Sequence, residues 1–99
     1  MLRPLTTDFD DLPGAAVIRA GLEDLAAGRE SIASLLVQIG APRLNGLGIS
    51  LPIQPELDAD HRLYHLLAAE HGLAAHSQFN SWIRQLISFE RALEQRLGA

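Results

Sequence analysis

Cysteine is absent from the 99 residues of the chain. This excludes thiol catalysis, zinc–thiolate sites, iron–sulfur clusters and disulfide bonds. Lysine is absent as well, since every cation is an arginine, and this excludes Schiff-base chemistry and the lysine of a phosphate-binding P-loop. No apolar run approaches the roughly 18 residues that a membrane span needs, and the N-terminal residues lack the apolar stretch of a signal peptide. We therefore expect a cytoplasmic protein with no membrane partner.

The charge balance also restricts the partners that the chain can have. The sequence has 8 basic and 12 acidic residues and a formal net charge of −4, which is the wrong sign for binding nucleic acid through phosphate contacts. Arg43 is the only cation between residues 30 and 61, so the segment that could be fitted to a helix-turn-helix lacks a basic stripe. The sequence predicts no nucleic-acid partner, and its acidity favours a basic partner.

Length and composition favour one all-α domain over residues 1–99. A chain of this length is near the commonest size of a single domain. Leucine and alanine dominate, β-branched residues are scattered, and apolar residues recur at helical spacing over most of the chain. The sequence therefore predicts a compact bundle of four main helices, with residues 1–10 irregular.

Caps, glycines and prolines predict where the helices begin and end. Asp11 is a candidate N-cap of the first helix, with Pro13 in its first turn and Gly28 at its end. Other helices are predicted over residues 30–39, 58–71 and 75–97, with a short helical turn over 42–47. Two prolines predict an extended, proline-containing crossover over residues 48–57.

The last two predicted helices are so close in sequence that one kinked helix of almost forty residues is an alternative to two. Only Gly72 and the residues just after it separate them. On a single straight helix, the stripe of Leu63, Leu66 and Leu67 would point about 150° away from the apolar stripe of the second half. A break after Gly72 lets both stripes face one core, and this favours an antiparallel helical hairpin.

The C-terminal helix, over residues 75–97, carries the broadest apolar stripe of the chain. Its principal members recur at steps of three and four residues and are Phe79, Trp82, Leu86, Phe89 and Leu93. A domain of this size needs only part of so broad a face for its core, so these five residues are candidates for an interface with a second subunit or another protein. The large aromatics Trp82 and Phe89 are the candidate anchors. The alternative is that this helix is the central, buried helix of the bundle.

Two glutamates lie within apolar sectors and are candidates for buried charges. Glu70 is in the last turn of the 58–71 helix, where it could also reach water, and Glu90 is inside the stripe of the C-terminal helix. A buried carboxylate needs a partner, and at Glu90 an arginine of a second subunit could supply one. In a hairpin the two carboxylates would be about 22 Å apart, too far to act as one catalytic pair. The alternative to an interaction module is a small-molecule or metal-binding protein or an enzyme, which would use either glutamate with an arginine such as Arg62 or Arg84, or else His61 and His65.

Histidines provide only a weak metal signal. Asp58, His61 and His65 could share one helix face at the spacing of metal ligands. That face is opposite the leucine stripe, where solvated side chains are expected, and His71 and His76 beside the turn are expected to be exposed as well. We expect no metal, no cofactor and no catalytic residue. The sequence thus predicts a small, non-enzymatic module for protein–protein interaction that forms a homodimer through its C-terminal helix.

Overall fold

The computed structural model of the chain describes residues 9–98. Residues 1–8, which belong to the segment predicted to be irregular, lie outside the described residues. The helices are α1 (Ala15–Ala26), α2 (Ile32–Ile39), α3 (Ala41–Gly46), α4 (Ala59–His71) and α5 (Ala75–Arg96), and a 3-10 turn (Gly72–Ala74) joins the last two. The all-α prediction is confirmed, since the described residues contain no strand and form a compact globule of four main helices with α3 as a short addition.

Helix α1 begins later than the sequence predicts, because its N-cap is Gly14 rather than Asp11. Gly14 has a φ of +78°, and a Cβ atom there would lie 2.9 Å from the carbonyl oxygen of Gln85 on α5. This close approach in a left-handed conformation requires glycine. Asp11 does not cap the helix and instead accepts hydrogen bonds of 2.8 and 2.9 Å from the guanidinium of Arg96.

Helix α2 occupies the centre of the fold, packed against α1, α3, α4 and α5. It begins with a capping box, in which the backbone N–H of Ser34 donates to the hydroxyl of Ser31 and the backbone N–H of Ser31 donates to the hydroxyl of Ser34. The residues from Ser34 to Gln38 are all buried. The most central helix is therefore α2, although the sequence offers the C-terminal helix as a candidate for that position.

A non-helical connector links α3 to α4 over residues 49–56. Ile49 and Leu51 are partly buried against the core. The far end of the connector is held by α2, because the backbone N–H of Glu56 donates a 2.9 Å hydrogen bond to the side-chain oxygen of Gln38. The extended conformation expected for this segment stays a prediction.

Helices α4 and α5 are separate helices. Gly72 leaves helical geometry with a φ of +57° and a ψ of −120°, and this ends α4 at His71. Tyr64 on α4 and Phe79 on α5 are in ring contact, with centroids 5.8 Å apart, a distance that residues fifteen positions apart on one straight helix could not reach. These features exclude one continuous helix, and the antiparallel arrangement of the two helices stays a prediction.

Phe9, which belongs to the segment predicted to be irregular, packs in the core. Phe9 is only 8% exposed, and its ring meets that of Phe89 edge to face at 5.3 Å. The largest fully buried side chains are Phe89, Ile18, Leu35, Leu36, Leu44, Leu63 and Leu67. No helix within residues 9–98 has the length and apolar character needed to cross a membrane.

Candidate functional site

Most of the side chains that the sequence predicts at an interface lie in the core of the chain. Leu86, Phe89 and Leu93 are between 0 and 6% exposed. Phe79 and Trp82 are partly buried and pack against the core. These three side chains are therefore inaccessible in this fold and belong to its core, which is the alternative that the sequence leaves open for this helix. Self-association of the chain stays a prediction.

An apolar face nevertheless remains on the outer side of α5, and we call it the α5 flank. It consists of Phe79, Ile83 and Ile87, which follow each other on successive turns, together with Tyr64 of α4. Ile87 is 42% exposed and Tyr64 is 40% exposed. Phe79 and Ile83 are partly covered by the core, so the flank continues the core onto the surface.

Two arginines border the α5 flank. Arg84 and Arg91 lie three residues before and four residues after Ile87, and therefore on the same side of the helix. Both are exposed, and neither makes an ion pair with another residue of the described 9–98 range. Each can therefore accept a carboxylate partner from outside the chain.

Glu90, on α5, is 7% exposed. A Cβ atom on Gly40, between α2 and α3, would lie 3.0 Å from the Oε2 atom of Glu90, so the glycine makes room for this carboxylate. Burial raises the pKa of Glu90, and the positive charge of Arg43 offsets this increase only in part. Arg43 is itself ion-paired with Glu94. Glu90 is therefore buried, as its place in the apolar stripe predicts.

Glu70, the second candidate for a buried charge, has a side chain that is 53% exposed. Its carboxylate is 3.9 Å from the ring of His71. It lines an open groove beside Leu66 and Trp82, and none of the arginines contributes to the lining of that groove. Of the two interpretations of Glu70, the exposed one is therefore correct, because its place in the last turn of α4 lets the side chain reach water.

The histidines form no metal centre in the described part of the chain. Asp58, His61 and His65 are exposed, and no group of three or more metal-ligating side chains within residues 9–98 has the geometry to hold an ion. At the turn between α4 and α5, His76 contacts the side chain of Asn80 at 3.3 Å rather than His71. The weak metal candidates therefore gain no support from the fold.

Arg62 has a structural position that the sequence does not indicate. It pairs with Glu30 before α2 and donates a 3.0 Å hydrogen bond to Glu56 at the end of the connector. The hydrogen bond to Glu30 raises the pKa of the Arg62 guanidinium. Arg62 thus holds two loops against α4. Its partners are Glu30 and Glu56, and not Glu70 or Glu90 as a catalytic role would require.

A cavity of about 630 Å³ lies where α1, the end of α5 and the residues after α3 meet. Its apolar lining comes from Phe9, Leu22, Leu47, Ile49, Leu93 and Leu97. Arg19 and Arg96 also line it. Sequence reasoning missed this site because it combines both ends of the described chain. The available signal in the sequence was the acidic pair Asp10 and Asp11, which binds Arg19, nine residues away, and Arg96, 85 residues away.

Comparison of the chain with protein-family models, with curated proteins and with solved structures gives no match.

Proposed function

We propose that the chain is a small helical interaction module that forms a homodimer through the α5 flank. The observation that carries this proposal is the exposure of Ile87 and Tyr64, at 42% and 40%, beside side chains that continue into the core. Apolar patches that are continuous with well-packed side chains are typical of interfaces, whereas isolated exposed apolar residues are common on any surface. The flank therefore replaces the buried residues Leu86, Phe89 and Leu93 as the contact face.

A second copy of the chain fits the charges around this face. The chain has a net charge of −4, yet Arg84 and Arg91 beside the flank lack an ion-pair partner among residues 9–98. Each of these arginines can pair with an exposed carboxylate of a second copy, and charge pairs at a rim fix register more than they add affinity. In a twofold dimer each flank meets the other, so one patch supplies both halves of the interface.

The experiment is light scattering coupled to size exclusion on the wild type and on Ile87→Glu. A buried charge in an apolar interface is costly, so we expect the wild type at twice the 10.8 kDa mass of the chain and Ile87→Glu as a monomer. Ser88→Glu is the matched control, because it adds the same charge at an exposed neighbouring position of α5 and should leave the dimer intact. Circular dichroism should show equal helicity for all three proteins.

A monomeric wild type at high micromolar concentration would contradict the proposal. Dissociation by Ser88→Glu as strong as that by Ile87→Glu would place the contact elsewhere on α5 and would also count against the flank. The alternative of a catalytic or small-molecule site at Glu70 or Glu90 is not favoured, because the two carboxylates do not share a pocket lined by Arg62 or Arg84.

A further inference from the structure

The open groove bordered by α1, α2, α4 and α5 combines an aromatic side chain with a carboxylate. Its volume is about 440 Å³. Trp82 of α5 and Leu66 of α4 give it apolar surface, and Glu70 follows Leu66 one turn later on the same side of α4. A guanidinium stacks on aromatic rings and pairs with carboxylates, so this groove offers both of its usual contacts.

Glu70 is the carboxylate of this groove that is left to bind a cation. Asp24 and Glu30 also line the groove, but each of them already pairs with an arginine of the chain. Within residues 9–98, the one ion-pair contact of Glu70 is the ring of His71, at 3.9 Å. The side chain of Glu70 is 53% exposed, so its carboxylate retains acceptor sites for a cation from outside the chain.

Trp82 provides the second contact for a cation. It is partly buried and packs against the core, so the fold already restricts its indole and little side-chain entropy is lost on binding. Of the aromatic side chains, tryptophan attracts cations most strongly. An arginine gains more from such a ring than a lysine does, because the ammonium of lysine is compact and strongly hydrated and does not stack.

We propose that this groove receives an arginine side chain of a basic partner protein, with the guanidinium between the indole of Trp82 and the carboxylate of Glu70. The net charge of −4 attracts a basic surface to the chain. Arginine is enriched at protein interfaces, where lysine is depleted. The proposal is independent of the α5 flank, because none of the flank residues lines the groove.

The test is an NMR titration of ¹⁵N-labelled wild-type protein with three acetylated glycine–serine peptides that differ only in their central residue, which is arginine, lysine or citrulline. Citrulline has the shape of arginine without its charge, and lysine has the charge without the planar guanidinium. The chain has one tryptophan, so the single indole N–H signal reports on the groove. We expect saturable shifts of this signal with the arginine peptide. Binding should be about threefold weaker for the lysine peptide and about tenfold weaker for the citrulline peptide.

Substitutions in the groove separate a specific site from general attraction to an acidic protein. Glu70→Gln should weaken binding of the arginine peptide by roughly threefold to fivefold. Asp60→Asn is the matched control, because it removes the same charge from an exposed position of α4 outside the groove, and it should have no effect. Trp82→Leu should remove the preference for arginine over lysine, with the amide of Ile32 in the groove wall as the signal.

The comparison of peptides on the wild type keeps the test decisive even if Trp82→Leu fails to fold. Equal affinity for the arginine peptide and either of the other two, or no saturable shift of the Trp82 indole, would overturn the proposal. Equal losses in Glu70→Gln and Asp60→Asn would also overturn it, by showing that net charge alone attracts the peptide. Failure here would leave dimerisation through the α5 flank unaffected, and the reverse also holds.

Discussion

Gly21 of α1 lies against the main chain of α2 so closely that a Cβ atom at this position would be 2.3 Å from the carbonyl oxygen of Ala33. The same Cβ atom would be 2.8 Å from Cγ1 of Val37. Since α2 is the most central helix and packs directly on α1, the glycine determines how near the two helices can come. The structural role of Gly21 is thus close helix packing and not conformational freedom.

Gly21→Ala should destabilise the protein by about 2–3 kcal/mol, because backbone atoms of α1 and α2 would have to separate to admit the methyl group. The free energy of unfolding is measured by urea denaturation followed by circular dichroism. Gly46→Ala is the control, since a Cβ atom on Gly46 would meet no atom within 4 Å, and it should be neutral or stabilising by up to about 1 kcal/mol. Equal stability of Gly21→Ala and the wild type would show that α1 and α2 are not packed as described.

Phe9 provides a second test of the fold, because it lies just ahead of α1 in sequence but within the core. Phe9→Ala removes the edge-to-face contact with Phe89 and leaves a void, so it should cost about 3 kcal/mol. Thermal unfolding is the measurement. Leu57→Ala is the control, since Leu57 is fully exposed, and its effect should stay within about 0.5 kcal/mol. If both variants unfold at the wild-type temperature, Phe9 is not part of the core.

The features predicted correctly from sequence are those that local interactions decide. Gly28 and Gly72 follow the ends of α1 and α4, because glycine adopts the positive φ that ends a helix. The apolar spacing of residues 30–39 likewise predicts α2, although the helix begins at Ile32, after the cap that Ser31 provides. In each case the interacting groups belong to residues that are close together in sequence, so the local sequence is enough to predict the interaction.

The features predicted wrongly depend on residues that are distant in sequence. Asp11 has the chemistry of an N-cap, but it pairs with Arg96, which is 85 residues away. Glu70 and Glu90 have similar places on apolar faces, and only Glu90 is buried, with Gly40 next to its carboxylate. Helical periodicity gives the direction of a side chain and does not say which neighbouring element will cover it.

Ser31 couples the cap of α2 to the end of α1. Its hydroxyl accepts the backbone N–H of Ser34 at 3.1 Å and donates to Asp24 at 2.7 Å. This hydrogen bond is the largest cause that lowers the pKa of Asp24, ahead of the hydrogen bond from Arg29. An acid whose pKa is lowered by folding stabilises the fold above its ordinary pKa and loses that contribution as the pH falls through the lowered value.

Ser31→Ala should therefore lower the free energy of unfolding by about 1 kcal/mol at pH 7, through loss of the cap, and by less at a pH low enough to protonate Asp24. Chemical denaturation at pH 7 and pH 3 measures the difference. Ser88→Ala on the exposed side of α5 is the control and should not lower the stability at either pH. A Ser31→Ala effect that is the same at both pH values would show that the link to Asp24 contributes nothing.

The buried carboxylate of Glu90 should have the opposite pH dependence. Folding raises its pKa above the ordinary value of 4.5, mainly through burial. Between the ordinary and the raised pKa the folded chain holds a proton that the unfolded chain has lost, so the contribution of Glu90 to stability falls as the pH rises through this window. At pH 7 the charged carboxylate opposes folding, and below pH 4.5 this cost disappears.

Glu90→Gln should accordingly stabilise the protein at pH 7, by an amount on the order of 1 kcal/mol, and the gain should vanish as the pH is lowered to 4. Glu94→Gln, one turn further along α5, is the matched control. The side chain of Glu94 is 43% exposed and ion-paired with Arg43, so its neutralisation should leave stability at pH 7 unchanged or slightly lower. The free energies of unfolding of the three proteins at pH 4, 5.5 and 7 test this directly. If Glu90→Gln is less stable than the wild type at pH 7, the carboxylate is paired in the fold, and burial does not dominate its energetics.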